Sequence, residues 1–149
     1  MKYSEESNLS VLKDWYKSAI NGEGEKVANT LSDAIKWHFA EGLGVGGDYQ
    51  GKETLLRDVL PEFFSEFDKL QGFPSDFKAL GNLFIVKGTY IGKTKEAQKD
   101  FSAEFMHIIE MKDGKITSLY QNTNTDAYTK ALGEVVIQRM DDKTKPFRV

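Results

Sequence analysis

Apolar residues recur at helical spacing at Leu9, Leu12, Tyr16 and Ala19/Ile20, which predicts a helix over residues 9–20, closed by Asn21-Gly22. Val27, Ala28 and Leu31 mark the buried side of a short second helix. The period then falls to two. A strand over 34–39 places Ile35, Trp37 and Phe39 on one face and His38 on the other. A glycine-rich loop follows over 41–51. Leu56, Val59, Leu60, Phe63, Phe67 and Leu70 form a wide apolar stripe, predicting a long helix over 52–70 with a kink at Pro61. After Gly72-Phe73-Pro74 the alternation returns, with strands over 77–80 and 83–91 separated by Gly81-Asn82. Two more strands, 101–111 and 116–125, flank Asp113-Gly114, the strongest short hairpin signal in the chain. A short helix over 126–132 precedes a tail, 133–149, with no defined pattern. Helices segregated from hairpin strands make the fold class α+β. The 149 residues form a single domain with its core over about 9–132.

The strand phases carry the functional signal. Phe101, Ala103, Phe105, His107, Ile109 and Met111 share one face, and counting by twos from Ile116 adds Ser118, Tyr120, Asn122 and Asn124 to it. That face is the aromatic one, hence the core side. His107, Tyr120, Asn122 and Asn124 are then polar groups on an apolar surface. Buried polar groups are hydrogen-bonded, so the four together predict an internal network or a wet pocket. The opposite face mixes Met106, Ile108 and Leu119 with Glu104, Glu110, Gln121 and Thr117. This composition suits contact with a second copy of the chain.

Composition narrows the chemistry. A formal net charge of −3 without a basic stripe argues against nucleic acid and anionic membrane as partners. The absence of cysteine excludes disulfides, thiolate metal sites and cysteine nucleophiles. Apolar runs are too short for a membrane helix, and the opening Met1-Lys2-Tyr3-Ser4-Glu5-Glu6 has no signal-like apolar stretch. A cytoplasmic location is the expectation.

Several segments together resemble a known family: Gly88-Thr89-Tyr90-Ile91-Gly92, Phe105-Met106-His107-Ile108, Asp113-Gly114-Lys115-Ile116 and Tyr120-Gln121-Asn122-Thr123-Asn124-Thr125. Trp37 and the stretch Gly46-Gly47-Asp48-Tyr49-Gln50-Gly51-Lys52-Glu53 fit the same pattern. In order and spacing they resemble the SnoaL-like polyketide cyclases, within the broad superfamily of ketosteroid isomerase and nuclear transport factor two. The resemblance spans about residues 9–132. It implies a cone: a strongly curved antiparallel sheet wrapped around a long helix, after two N-terminal helices, with a pocket at the open end. It also implies a homodimer through the outer sheet face and a small hydrophobic or polycyclic ligand. Enzymes of the family commonly use a strand-end carboxylate with a histidine nearby. His107 matches the histidine, but Asn124 stands where the carboxylate is expected, and an amide takes up no proton near neutral pH.

Two readings follow. In one, the protein is a cofactor-independent isomerase or cyclase that moves a proton next to a carbonyl. His107 is then the general base, and Tyr120, Asn122 and Asn124 hold the enolate oxygen. In the other, the same cluster orients a ligand without chemistry. Tyr16, Trp37, Tyr90 and Phe105 line the pocket in both, while His107 is equally well explained as a hydrogen-bonded core histidine. The run Gly42-Leu43-Gly44-Val45-Gly46-Gly47 spells G-x-G-x-x-G, but Asp48-Tyr49-Gln50-Gly51 separates it from the next helix, so it is a loop and no dinucleotide site. The two histidines lack metal-ligand spacing, so neither a metal nor a cofactor is expected. His38 reads as a surface or interface residue. Asp33, Glu41 and Asp126 read as caps and loop charges.

Overall fold

A computed structural model describes residues 4–132; the tail over 133–149 lies outside them. The first helix is longer than its apolar spacing suggested. α1 runs Glu5–Ile20 because Ser4 and Ser7 form a reciprocal capping box, with Glu5 and Glu6 in the favourable first turn. Its buried side is Asn8, Leu12, Trp15 and Tyr16. A short α2 (Gly24–Asn29) leads into β1 (Leu31–Phe39), which buries Ile35, Trp37 and Phe39 as expected. The end of the glycine-rich loop forms a short strand, β2 (Gly47–Gln50), antiparallel to β1.

The helix expected over 52–70 is shorter and composite. It consists of α3 (Lys52–Thr54), a π turn (Leu55–Val59) and α4 (Leu60–Phe64). Pro61 cannot donate to the carbonyl four residues back, and the wide turn just before it, with Leu60 N–H bonded to the Leu55 carbonyl, accommodates that gap. The helix stops at Ser65, whose N–H and hydroxyl both donate to the Glu62 carbonyl. Phe67 and Leu70 belong instead to β3 (Phe67–Leu80), an edge strand that tolerates Pro74 at a register shift. Among the described residues the longest helix is therefore α1. It packs against β3, with the Tyr16 ring edge-on to Phe77 and parallel to Phe105.

β4 (Leu83–Thr94), β5 (Asp100–Lys112) and β6 (Lys115–Thr123) complete a curved six-stranded sheet in the order β2-β1-β6-β5-β4-β3. All neighbours are antiparallel except β1 and β6, which run parallel. Asp113 and Gly114 both take positive φ, so the β5–β6 hairpin closes with a two-residue turn, as the Asp-Gly pair signalled. α5 (Thr125–Leu132) covers the end of the sheet beside β5.

One local irregularity decides which side chains face inward. Glu110 pairs with Ser118 and Met111 with Ile116, leaving Thr117 as an extra residue in β6. Its hydroxyl donates to the Glu110 carbonyl at 3.1 Å. This β-bulge reverses the phase of the rest of the strand. Ile116, Leu119 and Gln121 face the core, while Tyr120 and Asn122 stand on the outer face.

Candidate functional site

The inner face of the sheet carries a buried polar chain. His107 on β5 is 5% exposed, and its ring lies parallel to Phe105 at 4.2 Å between centroids and to Tyr16 at 5.9 Å. Glycine makes room for this stack: a Cβ at Gly88 would approach the Phe105 ring to 2.4 Å. Tyr16 Oη lies 2.6 Å from Nδ1 of His107, and Tyr90 Oη lies 2.8 Å from Nε2. Gln121 Nε2 donates to Tyr90 Oη at 2.8 Å, and the Ala40 N–H reaches Gln121 Oε1 at 3.4 Å. Both ring nitrogens of His107 are thus engaged by phenols.

Electrostatics follow from burial. Desolvation lowers the His107 pKa to about 3, so the ring is neutral at physiological pH. Burial also raises the Tyr16 phenol, with Tyr90 adding to the effect. Tyr90 is raised by burial first and by Tyr128 second, against a smaller lowering from the Gln121 hydrogen bond. The network is therefore a chain of uncharged groups. A neutral imidazole donates at one nitrogen and accepts at the other.

The residues expected here divide cleanly. Trp37, Tyr90, Phe105 and His107 lie on the inner face of the sheet, Tyr16 packs over it from α1, and all five are buried. Tyr120, Asn122 and Asn124 do not join them. All three are exposed, and Tyr120 stacks on His38 across the outer face at 4.0 Å. The Thr117 bulge is the physical reason, and it also moves Leu119 and Gln121 inward from the outer face, where simple alternation puts them. Gln121 is the polar group that alternation missed. A spacing signal does exist: Ile116 and Leu119 are three apart and can share a core face only if one residue between them is extra.

A small pocket opens between the loop over 40–46, α4 and α5. It is lined by Leu43, Val45, Phe63, Phe67, Tyr128 and Leu132, with Glu62 and Glu66 at its rim. Its space for water-sized molecules is about 30 Å³. The Tyr128 hydroxyl is buried with no partner within hydrogen-bond distance, the Thr123 hydroxyl being engaged by the Glu104 carbonyl, and burial raises its pKa. Phe63 links this mouth to the network, standing 6.3 Å from both Tyr128 and Tyr90. Four larger surface clefts, lined in part by Tyr49, Asn122, Leu80 and Glu96 respectively, are likewise built without His107. Among the same residues, no group of three or more His, Asp or Glu stands close enough to hold a metal.

The family model for the SnoaL-like domain matches residues 12–119, more than half of the chain. The chain belongs to the SnoaL-like family. Solved structures agree on the fold. An NTF2-like protein of unknown function from Burkholderia pseudomallei superposes with a TM-score of 0.77 at 16% identity, covering 85% of this chain and 97% of that one. An NTF2-like protein from Burkholderia thailandensis gives 0.76 at 22% identity, covering 83% and 95%. TerC, co-crystallised with polyporic acid, gives 0.76 at 21% identity, covering 84% and 97%. No curated protein matches the sequence. The SnoaL-like assignment brings with it a fold and family that support small-molecule binding. No helix among the described residues is long and apolar enough to cross a membrane.

Proposed function

We propose that this SnoaL-like chain binds a small, largely aromatic molecule at the mouth between the loop over 40–46, α4 and α5, and that His107 holds the buried network together without acting as a base. The observation that carries this reading is the engagement of both His107 nitrogens by Tyr16 and Tyr90. A base needs a free lone pair and a pKa near the working pH. His107 has neither. The mouth supplies apolar and aromatic walls and one unpaired phenol, Tyr128, suited to an acceptor oxygen on the ligand. About 30 Å³ is too small for an organic ligand, so binding displaces Phe63 or Leu132. Phe63 sits on α4, just beyond the π turn, a feature frequent at functional sites.

The enzymatic reading, an isomerase or cyclase, would draw its base from the strand end, but Asn124 is exposed there, and Tyr120 and Asn122 lie on the outer face. That outer face is proposed as a homodimer contact. Tyr120, Ile108 and Ile85 stand in one row across β6, β5 and β4, with Met106 adjacent.

Calorimetry with aryl-substituted hydroxyquinones tests the ligand class; TerC was co-crystallised with a molecule of that kind. Binding that weakens at least tenfold in Phe63→Asp, with no loss of fold, supports the reading. The same samples in deuterated buffer, with a panel of ketones, test catalysis. Exchange of an α-proton that disappears in His107→Ala would establish the enzyme instead.

A further inference from the structure

The buried hydrogen bonds form one chain from Ala40 through Gln121, Tyr90 and His107 to Tyr16. It can run in two directions. In the first, Tyr90 donates to Nε2 and the Nδ1–H donates to Tyr16. In the second, Tyr16 donates to Nδ1 and the Nε2–H donates to Tyr90. Each direction leaves one phenol hydrogen without an acceptor: in the first it is that of Tyr16, while in the second it is that of Tyr90, whose Oη then takes two incoming donors and whose hydrogen is crowded by the Gln121 amide nitrogen. The Gln121 orientation is not free to relieve this. The backbone N–H of Ala40 can only donate, so the amide oxygen faces it and the amide nitrogen faces Tyr90. Donation into Tyr90 strengthens Tyr90 in turn as a donor to Nε2, because neighbouring hydrogen bonds polarise one another.

We infer that Gln121 is a positioning residue that holds His107 as the tautomer protonated on Nδ1, leaving the chain's uncommitted hydrogen on the Tyr16 hydroxyl. Only the last consequence rests on the binding proposal. A ligand that reaches the inner face past Phe63 meets a hydrogen-bond donor on α1, and the phenol on β4 is already committed. The link also ties the mouth to the histidine, since Ala40 begins the loop that carries Leu43 and Val45.

Long-range proton–nitrogen NMR of the full chain, labelled at histidine, reports the protonation of each His107 nitrogen with no ligand present. His38→Gln assigns the signals. The expected wild-type spectrum shows a single tautomer with hydrogen on Nδ1. Gln121→Leu removes the donor and is expected to give a mixture of both tautomers. Gln121→Glu, at a pH where the carboxylate is ionised and can only accept, is expected to reverse the chain and place the hydrogen on Nε2. Hydrogen on Nε2 in the wild type, or an unmoved Nδ1 tautomer in the variants, overturns the inference. If the Glu variant does not fold, the Leu variant decides alone. A merely structural Gln121 would lower stability in the Leu variant while leaving the tautomer unmoved. Failure of the binding proposal shows separately, in the quinone calorimetry.

Discussion

The hydroxyl of Tyr16 lies 2.6 Å from Nδ1 of His107, joining α1 to the centre of β5 across 91 positions of sequence. Its removal leaves a buried ring nitrogen without a partner. Tyr16→Phe is therefore expected to cost about 1–3 kcal/mol, the penalty for an unpaired buried polar group. Urea unfolding should show a lower midpoint at unchanged slope. A loss below about 0.5 kcal/mol, the range of ordinary surface changes, would mean that the contact holds nothing together.

Burial of neutral His107 makes the fold acid-sensitive. The folded pKa, about 3, lies below the unfolded value of 6.5, so below pH 6.5 the unfolded chain binds a proton that the folded chain refuses. The stability from this group is complete above pH 6.5 and is lost progressively as pH falls from 6.5 towards 3. At its steepest the loss approaches about 1.4 kcal/mol per pH unit. Denaturant titrations of wild type and His107→Gln between pH 7 and 4 should differ by that slope. Parallel curves would show that His107 protonates freely when folded.

Tyr128 offers the opposite case. Its hydroxyl is buried and unpaired, so Tyr128→Phe deletes a desolvated group at no cost in hydrogen bonds. Thermal unfolding should place the variant within about 0.5 kcal/mol of wild type or above it. Hydroxyquinone affinity should nevertheless fall roughly tenfold, the worth of one lost hydrogen bond of about 1.4 kcal/mol. Loss of stability with unchanged affinity would reverse the roles assigned here.

Ile108 sits between Tyr120 and Ile85 on the outer face. If that face joins two copies, light scattering at micromolar concentration should give a dimer mass for wild type and a monomer mass for Ile108→Glu, because an unpaired charge inside an interface is strongly unfavourable. A monomeric wild type, or a variant that remains dimeric, would remove this face as the contact.

Local pattern was enough for the architecture. Alternation in β4 and β5, the Asp113-Gly114 turn and the inward Ile35, Trp37 and Phe39 were all legible, because each depends on neighbours in sequence. The inner-face placement of His107, Tyr90 and Phe105 was legible for the same reason. Two things were not. Phe67 and Leu70 continue a helical stripe by spacing alone, and only pairing with the distant Thr94 and Gly92 makes them strand. Thr117 is extra only relative to its partners on β5, so the bulge is a property of two strands, and it exchanged Gln121 for Tyr120, Asn122 and Asn124 in the site. Counting by twos along one strand cannot detect it.

The parallel pairing of β1 with β6 has a kinetic side. β3 to β6 follow one another as antiparallel neighbours, each closing on the strand just made, so their contacts form at small loop-closure cost. β1 finds only the short β2 nearby, and its other edge waits for Ser118, Leu119 and Tyr120, 82 positions later in the sequence. Until β6 arrives, Trp37 and Phe39 have an apolar face but half a sheet to lay it on. Such non-local pairing slows folding and leaves strand edges open while it does so. Chaperones that cover that edge during synthesis would protect it, whatever the stability of the finished cone.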